Sequence, residues 1–290
     1  MKQFERVVIV GVGLLGGSIG LALRARGLAK QVVGLSPRGS SLDSALTLGA
    51  IDAASENFEL ACRDADLAIV CTPVQSVAEH ALRCFRAMPD RSLITDVGST
   101  KESIVTAVSR TQAACNFIGS HPLAGSEKSG VEHARADLFN GKLVVVTPTV
   151  LMDQASQAEL TIQSQLAEAA ESLWQSLGAR TLKMSPREHD SAVAQISHLP
   201  HLLASALASA TPSELLPLAA SGWCDTTRVA AGGAQLWRQI LEDNRLPVIA
   251  ALEGFSTSLN DWLAALRNND GQKLEELLLE GKQKREALGN

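Results

Sequence analysis

Val7-Val8-Ile9-Val10-Gly11-Val12-Gly13-Leu14-Leu15-Gly16-Gly17-Ser18 decides how the rest of the chain reads. Four β-branched residues run into G-x-G-x-x-G, and the apolar residues 19–25 continue without a break, as a helix would. A strand, a glycine turn and a helix in that order are the context that makes a glycine triplet a credible dinucleotide site. Gly11 permits the tight turn, Gly13 lets the backbone approach a pyrophosphate, and Gly16 lets helix and strand pack closely. Leu14 and Leu15 lie inside the same turn and join these glycines as candidate cofactor residues. The anion would rest on the unpaired N–H groups and positive dipole end of the helix. A glycine-rich turn without a ligand is the alternative.

Composition bounds the rest. At 290 residues the chain is long for one core and comfortable for two domains. A hydrophobic content of 46% with 20% charged residues is that of an ordinary globular protein. The net charge of −5 and the lack of a basic run argue against a nucleic-acid partner. No apolar run reaches the length of a membrane span. The first strand begins too early to leave room for a signal peptide, so a cytoplasmic protein is expected. The five cysteines lack paired spacing, which fits reduced thiols better than disulfides or a metal site.

The first half alternates strands with helices. Strands are expected at residues 32–35, 67–71, 92–97, 116–119 and 142–147, with helices at 41–48 and 76–88 between them. Continuous apolar strands separated by helices predict an α/β fold, a parallel sheet covered on both faces. In such sheets ligands bind just past the carboxyl ends of the strands. Thr72-Pro73 follows one strand there and is a candidate cofactor contact. Ser36-Pro37-Arg38 follows another, at the place where an NAD enzyme usually carries Asp or Glu for the ribose 2′-OH. Ser36 removes the carboxylate that would repel a 2′-phosphate and Arg38 could neutralise one, so NADP is favoured. A solvated turn would leave NAD acceptable.

Asp96-Val97-Gly98-Ser99-Thr100-Lys101-Glu102 opens another helix. Ser99 with Glu102 forms a capping-box pattern, and its hydroxyl could also face a substrate. In Gly119-Ser120-His121-Pro122-Leu123-Ala124-Gly125, a histidine stands directly past a buried strand, held by a proline and ringed by small residues. An imidazole there suits removal of a hydroxyl proton while hydride leaves the same carbon. His121 is the candidate base, and Ser99 its candidate partner.

The glycine turn, Asp96–Lys101, the His121 loop, Ile196-Ser197-His198-Leu199-Pro200-His201 and Asp225-Thr226-Thr227-Arg228 occur in this order. Together they resemble the prephenate/arogenate (cyclohexadienyl) dehydrogenase family of tyrosine biosynthesis. The resemblance runs from about Arg6 to near the C-terminus. It implies a Rossmann domain followed by an all-helical domain that forms a homodimer. The implied reaction is oxidative decarboxylation of prephenate to 4-hydroxyphenylpyruvate, or of arogenate to tyrosine. It further implies a substrate contact for His201 and a role near the active-site entrance for His189.

The second half agrees. Residues 153–177 are one amphipathic pattern stopped by Gly178, and 180–184 could return to the sheet as a last strand. The boundary falls between 184 and 185, giving a dinucleotide-binding domain (1–184) and a helical domain (185–290). Helices are expected at 186–210, 235–244, 247–267 and 271–287. Leu252, Phe255, Leu259, Trp262 and Leu266 recur at helical spacing, as an intrachain core or a partner face. His189, between Glu188 and Asp190, reads otherwise as a solvated polar turn. His198 and His201 share a helical face disturbed by Pro200, without the further ligands a metal would need. Arg228 presents a fork suited to a substrate carboxylate, its alternative being an ion pair with Asp225. A β-hydroxyacid dehydrogenase would use a second-domain lysine, and residues 186–266 contain none. A non-catalytic dinucleotide sensor would not need His121, Ser99 and Arg228 together.

Overall fold

The computed structural model describes residues 3–36, 39–125, 128–148 and 156–289. Strand β1 (Phe4–Val10) ends in four fully buried residues, as its unbroken β-branched run requires of a strand covered on both faces. It is followed by α1 (Leu14–Ala25), β2 (Ala29–Leu35), α2 (Gly39–Leu48), β3 (Ala53–Ser55), α3 (Phe58–Cys62) and β4 (Leu67–Val70). Then come α4 (Val74–Ala87), β5 (Leu93–Asp96), α5 (Glu102–Ser109), β6 (Phe117–Pro122), β7 (Leu143–Thr147), α6 (Gln157–Ser176) and β8 (Arg180–Lys183). In α4 the buried residues Val74, Val77, Ala81 and Cys84 recur at three- and four-residue steps, one apolar stripe laid on the sheet.

The eight strands form one sheet in the order β3-β2-β1-β4-β5-β6-β7-β8. All neighbours run parallel except β6 and β7. The wholly parallel sheet expected from sequence is corrected at that pair. The described residues between β6 and β7 contain no crossover helix, only loops and a 3-10 turn (Val131–His133), so the chain doubles back and pairs antiparallel. The short, half-polar β3 and the five-residue α3 were also absent from the sequence pattern. One core lies on each face of the sheet, the first around Ile9, Ile69 and Trp174, the second around Val8, Val70 and Phe117. At the edge, β8 exposes Arg180 and Lys183, charges that discourage pairing with another sheet.

From Pro186 onward the chain is helical: α7 (Pro186–Val193), α8 (Leu199–Ala210), α9 (Ser221–Thr227), α10 (Ala234–Asp243), α11 (Arg245–Arg267) and α12 (Gly271–Ala287). The single helix expected over 186–210 is broken by a π turn, Ala194–His198, between α7 and α8. Pro200 has no N–H to donate and its ring crowds the carbonyl four residues back, so an extra residue is accommodated in that turn. No helix among the described residues is long and apolar enough to cross a membrane.

Candidate active site

The glycine turn is shaped as a cradle. Gly11 has φ +94°, and a Cβ there would lie 2.9 Å from the carbonyl oxygen of Cys71. A Cβ on Gly16 would collide with the carbonyl of Gly11, so this residue serves the helix–strand packing. Gly13 faces open space, with nothing within 4 Å of a Cβ built on it. It is the N-cap of α1, which has no side-chain cap and no acid in its first turn. Bare N–H groups facing open space at a helix start fit a pyrophosphate.

A cleft of about 630 Å³ lies along this edge of the sheet. Gly11, Gly13, Ser36, Thr72 and Pro73 line it. Leu14 lies instead in an adjoining depression with Gly125, while Leu15 packs against the core. Arg38 lies outside the described residues. Sequence reasoning missed the far wall, made by Glu56, Phe58, His80 and Arg83. His80 sits 3.0 Å from the Thr72 hydroxyl, and the Arg83 guanidinium stacks 4.0 Å over the Phe58 ring. The helical positions of His80 and Arg83, four and seven residues beyond Ser76, were the available signal.

His121, expected just past a strand, is the penultimate residue of β6, which runs on to Pro122 by pairing with β7, and it lies on the same edge as the ends of β1, β4 and β5. Its Nδ1 lies 2.8 Å from His189 Nε2, and His189 Nδ1 lies 2.7 Å from Asp190 Oδ1. His121 is half-buried, whereas His189 and Asp190 are buried. With Nδ1 engaged, Nε2 is the nitrogen His121 keeps for a ligand. Burial, then the neighbouring His189, Lys101 and His198, push the His121 imidazole well below its usual range.

Asp190 also holds the start of α5, accepting the Lys101 N–H at 2.8 Å and the Glu102 N–H at 2.9 Å. The capping box expected at Ser99 and Glu102 is therefore corrected: α5 starts with Lys101 as N-cap and has no side-chain cap of its own. The reason lies in Asp96, which accepts the Gly98 N–H (2.8 Å) and pairs with the fully buried Lys101 ammonium. That pins residues 97–101 in a loop and leaves Ser99 outside the helix, half-buried and without a hydrogen bond among the described residues. Asp96 also accepts the Ser120 N–H (2.9 Å), so one carboxylate sets both the Ser99 loop and the residue before His121.

His189 does not sit at an entrance. It is 0% exposed and both ring nitrogens are engaged, which leaves neither for a substrate. The polar turn expected at Glu188–Asp190 is in fact the first turn of α7, with Glu188 spent in a capping box on Ser185. That S-x-x-E spacing was the overlooked signal.

His198 and His201 flank Trp237 of α10. His201 stacks on the indole with centroids 3.5 Å apart, and His198 meets it edge-on at 6.0 Å. The Asn244 amide bridges His198 Nδ1 (3.1 Å) to the Asp190 carbonyl (2.8 Å). His201 Nδ1 is buried without a hydrogen-bond partner among the described residues. Arg228 is exposed at the start of the 3-10 turn Arg228–Ala231, which packs on α8. A Cβ on the following Gly232 would lie 3.1 Å from His201 Cε1, so the arginine's turn closes against that histidine. A continuous path of contacts thus runs from His121 through α7 and Trp237 to His201.

Residues 19–182 match the family model described as prephenate dehydrogenase, nucleotide-binding domain, and residues 185–280 the one described as prephenate dehydrogenase, dimerization domain. The chain is 30% identical over 292 residues to a prephenate dehydrogenase of Bacillus subtilis, covering 98% of this chain and 76% of that protein. It is 30% identical over 298 residues to a cyclohexadienyl dehydrogenase of Zymomonas mobilis, covering 99% and 97%. Among solved structures it resembles a prephenate dehydrogenase of A. aeolicus in complex with hydroxyphenyl propionate and NAD+. That likeness has a TM-score of 0.86 and 31% identity, and covers 98% of each chain.

Proposed function

The chain belongs to the prephenate dehydrogenase family, and on that premise we propose that it catalyses the NAD(P)-dependent oxidative decarboxylation of prephenate, arogenate or both. The observation that carries this reading is His121: an imidazole with one nitrogen engaged and the other available, on the sheet edge shared with the dinucleotide cleft. When bound, the nicotinamide supplies a hydride acceptor. His121 Nε2 takes the proton of the substrate's ring C4 hydroxyl as the hydrogen on that carbon departs as hydride. The developing dienone is an electron sink for the C1 carboxylate, whose loss as CO₂ leaves an aromatic ring. Ser99, whose hydroxyl has no hydrogen-bond partner among the described residues, hydrogen-bonds the substrate oxygen or His121. Arg228 and His201 hold the substrate's carboxylates and exclude water from the ring.

Of the two cofactors we favour NADP, because Ser36 lines the cleft where a carboxylate would repel a 2′-phosphate and Arg38 follows two residues on. We assign dinucleotide binding to residues 1–184 and substrate closure and homodimer formation to 185–290. The exposed apolar residues of α11 and the matched dimerization model support the homodimer. The test is a two-by-two steady-state assay, prephenate or arogenate against NAD or NADP, followed at 340 nm. Turnover with a cyclohexadienyl substrate and NADP is expected. No reduced cofactor with either substrate would end the reading, and turnover with NAD alone would end the NADP assignment.

A further inference from the structure

Asp190 accepts two backbone N–H groups from the start of α5, one on each oxygen, so towards His189 it is an acceptor as well. His189 must then carry its proton on Nδ1, and as a neutral ring it offers a bare Nε2. That nitrogen faces His121 Nδ1 at 2.8 Å, which must therefore be the protonated one. Hydrogen bonding alone thus leaves one arrangement for His121 at rest: Nδ1–H inward, Nε2 bare and outward.

We propose that His189 and Asp190 form a positioning relay, which holds His121 in the tautomer able to accept the substrate's hydroxyl proton and shares the charge it then gains. The relay rests on the assignment of His121 as the base. The substrate O–H bond breaks and an Nε2–H bond forms on His121, while hydride leaves to the nicotinamide. No proton crosses to His189. The imidazolium keeps its Nδ1–H bond to His189 Nε2, and His189 keeps its Nδ1–H bond to the Asp190 carboxylate. Loss of CO₂ turns the ring ketone into a phenolate, and the Nε2 proton returns to that oxygen, so the product leaves as the phenol and His121 is free again. The carboxylate is anchored by the dipole end of α5 and by sequence adjacency to His189, so the relay is rigid before substrate arrives. The other charged or titratable groups around His121 are Lys101 of the α5 start, Asp96 beneath it at the end of β5, and His198 of the π turn.

The test combines two variants with a direct view of the ring. In ¹⁵N-histidine-labelled wild-type protein with cofactor bound, His121 should show a protonated Nδ1 and a bare Nε2. A protonated Nε2 at neutral pH would overturn the relay whatever the kinetics. His189→Phe keeps a buried ring but removes the acceptor; it should lower kcat by on the order of a hundredfold and leave His121 a mixture of tautomers. Asp190→Asn keeps an acceptor at the helix start but removes the charge. It should lower kcat roughly tenfold and move the acid limb of the kcat/KM profile to lower pH. A purely structural role would lower the melting temperature while leaving tautomer and pH profile as in the wild type, and that result overturns the relay. Loss of turnover in His121→Asn with wild-type kinetics in both relay variants would sink the relay alone. Normal turnover in His121→Asn would sink the base itself.

Discussion

The sheet half of this molecule closes two cores of its own, while the helical half barely closes one. On the sheet, strand residues such as Val7, Ile9, Leu67 and Ile69 are wholly excluded from water. Beyond Ser185 the buried apolar cluster consists of Ala194, Leu199, Val248 and Ala251, and α12 buries nothing. The difference is one of partners rather than of sequence character. Leu252, Leu259 and Leu266 keep helical spacing on α11 yet are 42%, 50% and 62% exposed, while Phe255 and Trp262 are half-buried. Of that pattern, Phe255 packs on the intrachain cluster, while the exposed leucines are apolar surface on a domain that matches a dimerization model. His121 belongs to the sheet half, and His189 and Asp190, which engage its Nδ1 side, belong to the helical one.

The contrast can be broken at several points. His121→Asn should cut kcat by about two to four decades, the range for loss of a general base, with cofactor dissociation constants unchanged by fluorescence titration. Near-normal kcat would remove the chemistry from the sheet edge. Acid should destabilise the helical half. Burial lowers the His198 imidazole to about 4 from its usual 6.5. The unfolded chain therefore binds this proton more readily than the folded one. Stability is whole above pH 6.5 and falls as pH drops towards 4, by about 3 kcal/mol. Melting curves by circular dichroism between pH 7.5 and 4 should show that loss, and His198→Asn should flatten it.

Leu252→Glu with Leu259→Glu should weaken self-association by about a hundredfold in sedimentation equilibrium. Dinucleotide binding should survive, since the sheet half has two buried cores of its own. An unchanged dimer would move the contact off α11. The smallest effect compares two identical caps, Ser156–Glu159 on α6 and Ser185–Glu188 on α7. Alanine at either serine should cost about 1 kcal/mol in thermal denaturation. Only Ser185→Ala should also reduce kcat, because only α7 carries His189. Equal kinetics in the two variants would uncouple α7 from the base.

What could be read from residues alone follows the range of the forces involved. The glycine turn, the buried strands and a histidine near the end of β6 are local statements, fixed by neighbours a few positions away. The start of α5 is not, because Asp190, about ninety positions downstream, occupies the place that Ser99 and Glu102 promised to fill. His189 looked like a surface residue for the same reason: its companions Glu188 and Asp190 are polar, but one is consumed by a cap and the other by a distant helix. The antiparallel β6–β7 pair was hidden because apolar strands carry no mark of direction. Its signal was an absence, a connection without a crossover helix.

The π turn at Ala194–His198 sets a phase as well as a bend. One residue more or less there turns everything downstream on α8 by about 100° about the helix axis. Pulling a single residue out of this turn would straighten the rod and swing His201 off the Trp237 ring without altering any side chain that touches it. The insertion works like a shim beneath a lens, and a length change of one residue there should cost more function than many substitutions around it.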